Sequence, residues 1–459
     1  MNKLRPDKLW IIYGVVFAAF LGIAVFAGLH HEPWADEAQS WLIARDNDLV
    51  GIFKAVRYEG TLPTWHLINK AFQFFGLDYD HIFVIPLVLT AIGVILLFLT
   101  DAPLLAKVML PFSFFVIYQN AVIARQYALV FPAMMLIVLF YKNRLEKSVR
   151  YHLALLFLAL TSSYGMVISC SFMLWDFIVM LKTMFRDPLY KRFRIPFFAT
   201  GILVLIIAFL SLPPDDCVPG LVLSSFSKNA TTALLFNVES RIGQYLFLAF
   251  MLILLAYYFR HDLIRTVVIA APLVLFMAFF YQREWHMTYL FDLLASLMII
   301  FHDDSKKTTR KPEKGLNTAS NIIVIALLAT QCLTGAYSIF YDYRNLYSPA
   351  KEIAEFIRPY VESGASINRV GFNAVSVSAY YDDPIYSNEP YGKPYYIWSS
   401  SVANDKFTEE FPDVVIAHEE IDGFEANYDL HRFDGHMIYK LNELDTEPYF
   451  VYVKKQAGT

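Results

Sequence analysis

Two acidic residues open a polar segment that follows a long apolar run. Asp36 and Glu37 lie in the string HHEPWADEAQSW, shortly after apolar residues that end near position 29. A carboxylate at the edge of the hydrocarbon stays ionised and can reach a substrate whose lipid tail lies in the bilayer. It could take a proton from an acceptor hydroxyl or hold a hard cation such as a divalent metal ion. The same pattern is also typical of a helix start, with Asp36 as the cap and Glu37 in the first turn.

A further carboxylate and an imidazole follow in the same polar segment. Glu59 and His66 lie in YEGTLPTWHLIN, on either side of a turn at residues 60–63. Together they could bind a metal or orient a sugar. The alternative is that the Gly and Pro only turn the chain, with His66 as an interfacial aromatic residue. Metal ligation stays open at this point.

Cationic and aromatic residues stand where later apolar runs begin or end. Arg125 in NAVIARQYALVFP could bind phosphate oxygens through its planar donors, or extend to the membrane surface. Arg283 and His286 in YQREWHMTY could contact the same phosphate, or Arg283 could simply pair with Glu284. Tyr164 begins another apolar run, where its side chain could line a substrate-binding cavity or pack in the protein core.

The composition shows which elements must position these residues. Of 459 residues, 57% are hydrophobic and 17% are charged, with a mean hydropathy of +0.43. Soluble domains carry roughly 25% charged residues. The apolar residues form runs near the roughly 20 residues that a membrane-spanning helix needs. The chain is therefore predicted to be a polytopic α-helical membrane protein, which excludes a cytosolic enzyme and a disulfide scaffold.

Eleven apolar runs are predicted to be spans. They cover about 9–29, 82–100, 103–120, 127–141, 150–163, 164–181, 195–212, 244–259, 266–281, 286–301 and 321–340. The two runs within 151–181 could instead form one helix kinked at Gly165. With a cytoplasmic N-terminus, the inner segments hold 20 Lys and Arg residues and the outer loops hold 8. Since positive charge favours the cytoplasmic side, we predict a multi-pass cell (inner) membrane protein with an extracytoplasmic C-terminus.

Two polar regions outside the bilayer divide the chain. Residues 30–81, here called the first loop, belong to a membrane domain of residues 1–340 and are predicted to contain interfacial helices at 38–56 and 65–75. Residues 341–459, here called the C-terminal region, hold 10 basic and 20 acidic residues. This charge argues against nucleic acid as a partner. An amphipathic helix at 348–364 and strand-like runs at 366–381, 412–418, 436–441 and 449–455 predict a small extracytoplasmic α/β domain.

Three motifs resemble those of a known enzyme family. They are W-x-D-E at 34–37, EG-x-x-P-x-W-H at 59–66 and A-R-x-Y-A-L at 124–129. Together with the large first loop they resemble the GT-C superfamily of membrane glycosyltransferases, in particular its bacterial protein O-mannosyltransferase-like and aminoarabinose-transferase-like members. The resemblance in topology covers residues 1 to about 340.

The resemblance implies a hexosyl- or pentosyltransferase that moves a sugar from a polyprenyl-phosphate donor to an envelope, lipid or protein acceptor. It assigns the sugar-transfer centre to Asp36, with Glu37 beside it, and Arg125 would contact the donor phosphate. Two other functional classes stay open, a transporter and a non-catalytic scaffold. A transporter or flippase of lipid-linked sugars should keep ionisable residues near mid-bilayer and often shows broken helices, whereas most charges here stand at span ends. A non-catalytic envelope-assembly scaffold would not need Asp36 or Glu37.

Overall fold

The structure is a computed structural model that describes residues 6–183, 188–218, 257–260, 262–279, 283–302, 311–438 and 444–455, with positions 245 and 252. Five helices within these ranges are long and apolar enough to cross a membrane. They cover Asp7–His30, Tyr79–Leu99, Ser163–Lys182, Lys191–Leu210 and Asn321–Arg344. The chain is therefore a helical membrane protein, as its composition predicts. The count of eleven spans stays a prediction, and the predicted span at 244–259 lies largely outside the described residues.

Most of the predicted apolar runs that the structure describes form helices, and further helices lie in the first loop and the C-terminal region. They are α1 (Pro6–His30), α2 (Ala35–Arg45), α3 (Leu49–Ala55), α4 (Thr64–Phe74), α5 (Val84–Leu99), α6 (Leu104–Met109), α7 (Val130–Tyr141), α8 (Ser148–Ala159), α9 (Ser163–Thr183), α10 (Pro188–Leu210), α11 (Leu263–Phe279), α12 (Met287–Ile300), α13 (Lys311–Arg344), α14 (Ala350–Glu362) and α15 (Val375–Ser378). Helix α1 illustrates how the apolar residues of a predicted span are distributed around the helix. Trp10 and Ile11 are 59% and 66% exposed while Phe20 is fully buried, so apolar side chains cover both its faces. Such a helix suits contact with lipid on one face and protein on the other.

The third predicted span, 103–120, is broken into short pieces. α6 is followed by a 3₁₀ turn at Leu110–Phe112 and a π-helical turn at Phe115–Asn120. Pro111 lies in the 3₁₀ turn, where its missing N–H removes one helical hydrogen bond. Residues 121–125 are not helical, and a second 3₁₀ turn at Gln126–Leu129 leads into α7. Within a bilayer, irregular backbone is tolerated only inside protein or beside a water-filled cavity, and residues 113–124 are buried in the protein.

Residues 151–181 form two helices rather than one kinked helix. α8 ends at Ala159, α9 begins at Ser163, and the two helices pack against each other. The chain turns at residues 160–162, before Gly165. The kink interpretation is therefore wrong, because the break is a complete turn between two helices.

The first loop contains the predicted interfacial helices, α2, α3 and α4. The predicted segment at 38–56 divides into α2 and α3, since Asp48 caps α3 by accepting a hydrogen bond from the Gly51 N–H at 2.7 Å. A buried apolar cluster joins the first loop to the C-terminal region. Trp41 and Trp65 belong to it, with Val375 and Tyr395 from the other side. The first loop is thus packed between the helical bundle and the C-terminal region.

The C-terminal region holds a four-stranded sheet beside α14. Its strands are β1 (Ile367–Val370), β2 (Val414–Ala417), β3 (Tyr428–Ile438) and β4 (Leu444–Lys454), in the spatial order β1-β2-β4-β3. β1 and β2 run parallel, with Ile367 opposite Val414, and the other pairs are antiparallel. The small α/β architecture is thus confirmed, although its extracytoplasmic location stays a prediction.

One strand prediction in this region is wrong over most of its length. The segment 366–381 was expected to be extended, but β1 ends at Val370 and residues 375–378 form the helical turn α15. α15 packs against α2, and Val375 joins the cluster shared with the first loop. Tertiary packing therefore overrides the β preference of Val375 and Val377.

Candidate functional site

Helix α2 carries both predicted catalytic carboxylates in its first turn. The helix begins at Ala35 with Trp34 as its N-cap. The Glu37 side chain accepts a hydrogen bond from the Trp34 N–H at 3.2 Å. The interpretation of Asp36 as the cap is therefore wrong. Its carboxylate instead faces Arg125, whose Nη2 lies 3.5 Å from Asp36 Oδ2.

Glu37 is fully buried at the centre of a hydrogen-bond network. Its Oε1 accepts from the Ala124 N–H at 2.5 Å, and its Oε2 lies 3.1 Å from His31 Nε2. The other ring nitrogen of His31 lies 2.9 Å from Asp342 Oδ2, to which the Tyr118 hydroxyl also donates. The network joins the ends of α1 and α13 to α2 and to the irregular backbone at 121–125.

His31 is the cation of this network. Burial alone would lower the pKa of His31, but Asp342 and Glu37 outweigh burial and raise it to about 10. At neutral pH the ring is therefore an imidazolium that donates to both carboxylates. The sequence prediction included neither His31 nor Asp342. The signal for His31 was its place in the same polar string as Asp36, whereas Asp342 is 311 positions further along the chain.

The irregular segment 121–125 presents Arg125 to α2. Arg125 Nη1 donates to the Asp36 carbonyl at 2.6 Å and to Ser40 Oγ at 3.3 Å. The side chain is only 15% exposed, so the guanidinium lies against α2 instead of extending to the surface. Its buried Nε has no hydrogen-bond partner among the described residues. Arg125 therefore retains a donor for a further ligand.

Asp36 and Arg125 make a part-buried charge pair in which the pKa of Asp36 is raised. Burial raises the pKa of Asp36, Arg125 opposes the rise, and the neighbouring Glu37 adds to it. A carboxylate with a raised pKa is a stronger base than an ordinary aspartate. The Asp36 carboxylate can therefore accept a proton while the Arg125 guanidinium lies next to it.

Glu59 and His66 reach the same centre from the turn before α4. The Gln39 amide on α2 donates to Glu59 Oε1 at 2.7 Å. Burial raises the pKa of Glu59 to about 7, although Gln39 and Arg125 act in the opposite direction. His66 is buried, and burial followed by the charge of Arg125 lowers its pKa to about 3. At neutral pH His66 is therefore uncharged.

The turn before α12 brings the remaining predicted residues to this end of the bundle. The His286 Nδ1 accepts from the Arg283 N–H at 3.0 Å and lies 3.4 Å from the Tyr164 hydroxyl. The rings of Tyr164 and His286 stack with centroids 4.9 Å apart. Because Nδ1 accepts, the ring is neutral with its proton on Nε2, so His286 offers a hydrogen bond rather than a second cation. The Arg283 side chain itself is exposed.

The eight predicted site residues come from four separate chain segments. Asp36, Glu59 and Arg125 are linked through α2, and the rings of Trp34 and Trp285, 5.8 Å apart, connect this group to the segment that holds His286. Their assigned roles stay predictions. Within the described ranges, no three His, Cys, Asp or Glu side chains are grouped to hold a metal ion.

A buried carboxylate inside the bundle was missed. Asp292, on α12, is fully buried, and its Oδ2 accepts from the Asn120 amide at 3.3 Å. Asn120 ends the π-helical turn and also accepts from Thr288. The Oδ1 of Asp292 has no hydrogen-bond partner among the described residues. An acidic residue in the middle of a predicted span, 286–301, was a usable sequence signal for this site.

Comparison with known proteins adds no assignment. The chain matches no protein-family model, and a search of curated proteins finds no relative.

Proposed function

We propose that the protein is a membrane glycosyltransferase of the GT-C type. It would move a sugar from a polyprenyl-phosphate donor to an acceptor hydroxyl at the outer face of the cell membrane. The observation that carries the proposal is the part-buried pair of Asp36 and Arg125, whose carboxylate and guanidinium lie 3.5 Å apart. In the proposal the carboxylate is the base and the guanidinium binds the donor phosphate. Two of the three motifs that resemble this superfamily contain the two residues of the pair, Asp36 at 34–37 and Arg125 at 124–129.

In the proposed reaction Asp36 takes the proton of the acceptor hydroxyl. The acceptor oxygen forms the new bond to the anomeric carbon, and the bond from that carbon to the phosphate oxygen breaks. The polyprenyl phosphate leaves with the electron pair, and the Arg125 guanidinium stabilises its charge. The raised pKa of Asp36 makes this carboxylate a stronger base than an ordinary aspartate.

Glu37 supports this reaction by positioning rather than by contact with substrate. Both its oxygens already bond protein groups, and the side chain is fully buried. By holding the Ala124 N–H it fixes the backbone next to Arg125. Glu59, His66 and His286 would then supply uncharged or weakly acidic hydrogen-bonding groups around the sugar.

A transporter of lipid-linked sugars is the second candidate, and Asp292 favours it. An ionisable residue in the bundle core is typical of transport pathways, and the broken helix at 103–120 meets it at Asn120. The two candidates differ in their products. A transferase forms a new glycosidic bond, whereas a transporter moves the donor unchanged.

The decisive test is Asp36→Asn, which keeps the size of the side chain and removes its basic oxygen. Mass spectrometry of lipid-linked sugars and envelope glycans, with and without the protein, first identifies the product. Transfer of labelled sugar by purified protein is then measured. We expect Asp36→Asn to lose roughly 10²- to 10⁴-fold in rate while donor binding and expression persist.

Asp48→Asn is the matched control on the same loop. Asp48 only caps α3, and Asn is a comparable cap, so transfer should stay at the parent level. Normal transfer by Asp36→Asn would refute the mechanism, and absence of any new glycosidic bond with the parent protein would favour the transporter.

A further inference from the structure

A cavity of about 230 Å³ lies between the first loop and the C-terminal region. Asn47 lines it from the connection between α2 and α3, Lys54 from α3, and Glu59 from the turn that follows. Tyr395 and Tyr396 form the opposite wall. None of these residues except Glu59 was expected from the sequence to bind a ligand.

Hydrogen bonds fix the two walls relative to each other. Gln39 donates to the Tyr396 carbonyl at 2.7 Å and accepts from the Tyr396 N–H at 2.8 Å. The same Gln39 amide donates to Glu59, and the Tyr395 hydroxyl donates to Asn47 Oδ1 at 3.2 Å. The cavity is therefore preformed, which lowers the entropy lost when a ligand is ordered in it.

Most of the surface that the cavity exposes is apolar, and a few polar side chains interrupt it. Tyrosine rings offer flat apolar faces, while Asn47, Glu59 and Lys54 offer an amide, a carboxyl and an ammonium group. Since burial raises the pKa of Glu59 to about 7, its carboxyl can donate as well as accept near neutral pH. This combination suits a small ring that carries several hydroxyl groups, with apolar C–H faces between them.

The volume of the cavity also suits a small ring. Pockets for drug-sized ligands measure roughly 300–1,000 Å³, so this cavity fits a smaller group. We propose that it binds one sugar ring of a reaction partner. This inference rests on the proposed glycosyl transfer, which requires a sugar next to Asp36. Gln39 lies three residues after Asp36 on α2, and the charges of Asp36 and Arg125 both act on Glu59.

The test fills the cavity from one wall. Ala55 lines it, so Ala55→Phe puts a phenyl ring into the space. Val50→Phe adds similar bulk to the same helix at a position that is 61% exposed and does not line the cavity. A second variant, Glu59→Gln, removes the acidic group with little change in volume. All three are made in the full-length protein in lipid nanodiscs.

The probes are methyl α-D-glucopyranoside, methyl α-D-mannopyranoside and methyl β-L-arabinopyranoside, followed by saturation-transfer NMR. At least one should bind the parent and Val50→Phe equally. Ala55→Phe should lose the signal, and Glu59→Gln should bind roughly tenfold more weakly. Displacement of the probe by a polyprenyl-phosphate sugar identifies the donor ring as the occupant, and simultaneous binding identifies an acceptor ring.

Failure of this inference differs from failure of the proposed function. If the parent transfers sugar but no probe binds, or if Ala55→Phe binds like the parent, the sugar site is refuted and the transferase stands. If the probes bind as expected but the parent forms no glycosidic bond, the sugar site stands and the transferase is refuted.

Discussion

Replacement of His31 by Gln tests the buried network that positions the site. His31 is the cation between Glu37 and Asp342, and all three side chains are at most 2% exposed. Gln is neutral, so His31→Gln leaves two buried carboxylates without a counter-charge. Removal of one partner from a buried ion pair typically costs about 3–5 kcal/mol. We expect the free energy of unfolding to fall by an amount in that range at neutral pH.

The pH dependence of this loss has a definite sign. The pKa of His31 is about 10 in the folded protein and 6.5 in the reference state. The contribution of His31 is therefore fully present below pH 6.5 and is lost as the pH rises through about 10. The stability gap between the parent and His31→Gln should accordingly shrink as the pH is raised over this interval.

Thermal unfolding of the purified full-length protein, followed by fluorescence of its 7 Trp residues, measures the gap. His81→Gln is the control, because His81 also pairs with a carboxylate, that of Asp78, but is 51% exposed. The control should differ little from the parent, since exposed ion pairs contribute about 0–1 kcal/mol. A gap for His31→Gln that is absent, or that stays constant from pH 6.5 to 10, would refute the role of His31.

Three further outcomes are expected. Arg125→Lys keeps the charge but cannot reproduce the contacts of the guanidinium, so transfer should fall roughly 10²-fold, and parent-like rates would rule out phosphate binding by Arg125. Lys351→Ala removes an exposed ion pair with Asp80, so the melting temperature should hardly change; a large drop would show that this pair holds the C-terminal region in place. A reporter that is active only in the cytoplasm, fused after Thr459, should be silent, because the predicted topology puts the C-terminus outside; an active fusion would overturn that topology.

Elements with strong periodicity could be predicted from the sequence. α14 follows from apolar residues at helical spacing that end at Gly364, which has a φ of +73°. β2 and β4 follow from compact β-branched and aromatic runs. The turn α15 could not be predicted in the same way, because Val375 and Val377 have β preferences and the turn packs against α2 and α14, which local sequence does not indicate.

For the candidate site, single residues could be predicted from the sequence but their contacts could not. Asp36 and Arg125 could be singled out because each charge stands at the edge of an apolar run, and Glu59 because it flanks a turn in the polar first loop. Their pairing could not, since no local pattern says that Arg125 bonds the Asp36 carbonyl or that Gln39 bonds Glu59. The orientation of each loop depends on packing between segments that are far apart in the chain.

The bond between His31 and Asp342 also sets an order for biosynthesis. The two residues are 311 positions apart, and translation proceeds at roughly 5–20 residues per second. His31 is therefore synthesised roughly 15–60 s before its second carboxylate partner exists. Until α13 inserts, the nascent chain holds an incomplete charge cluster at the end of α1. A chain truncated before residue 342 would carry the whole first loop and still lack the group that completes the network.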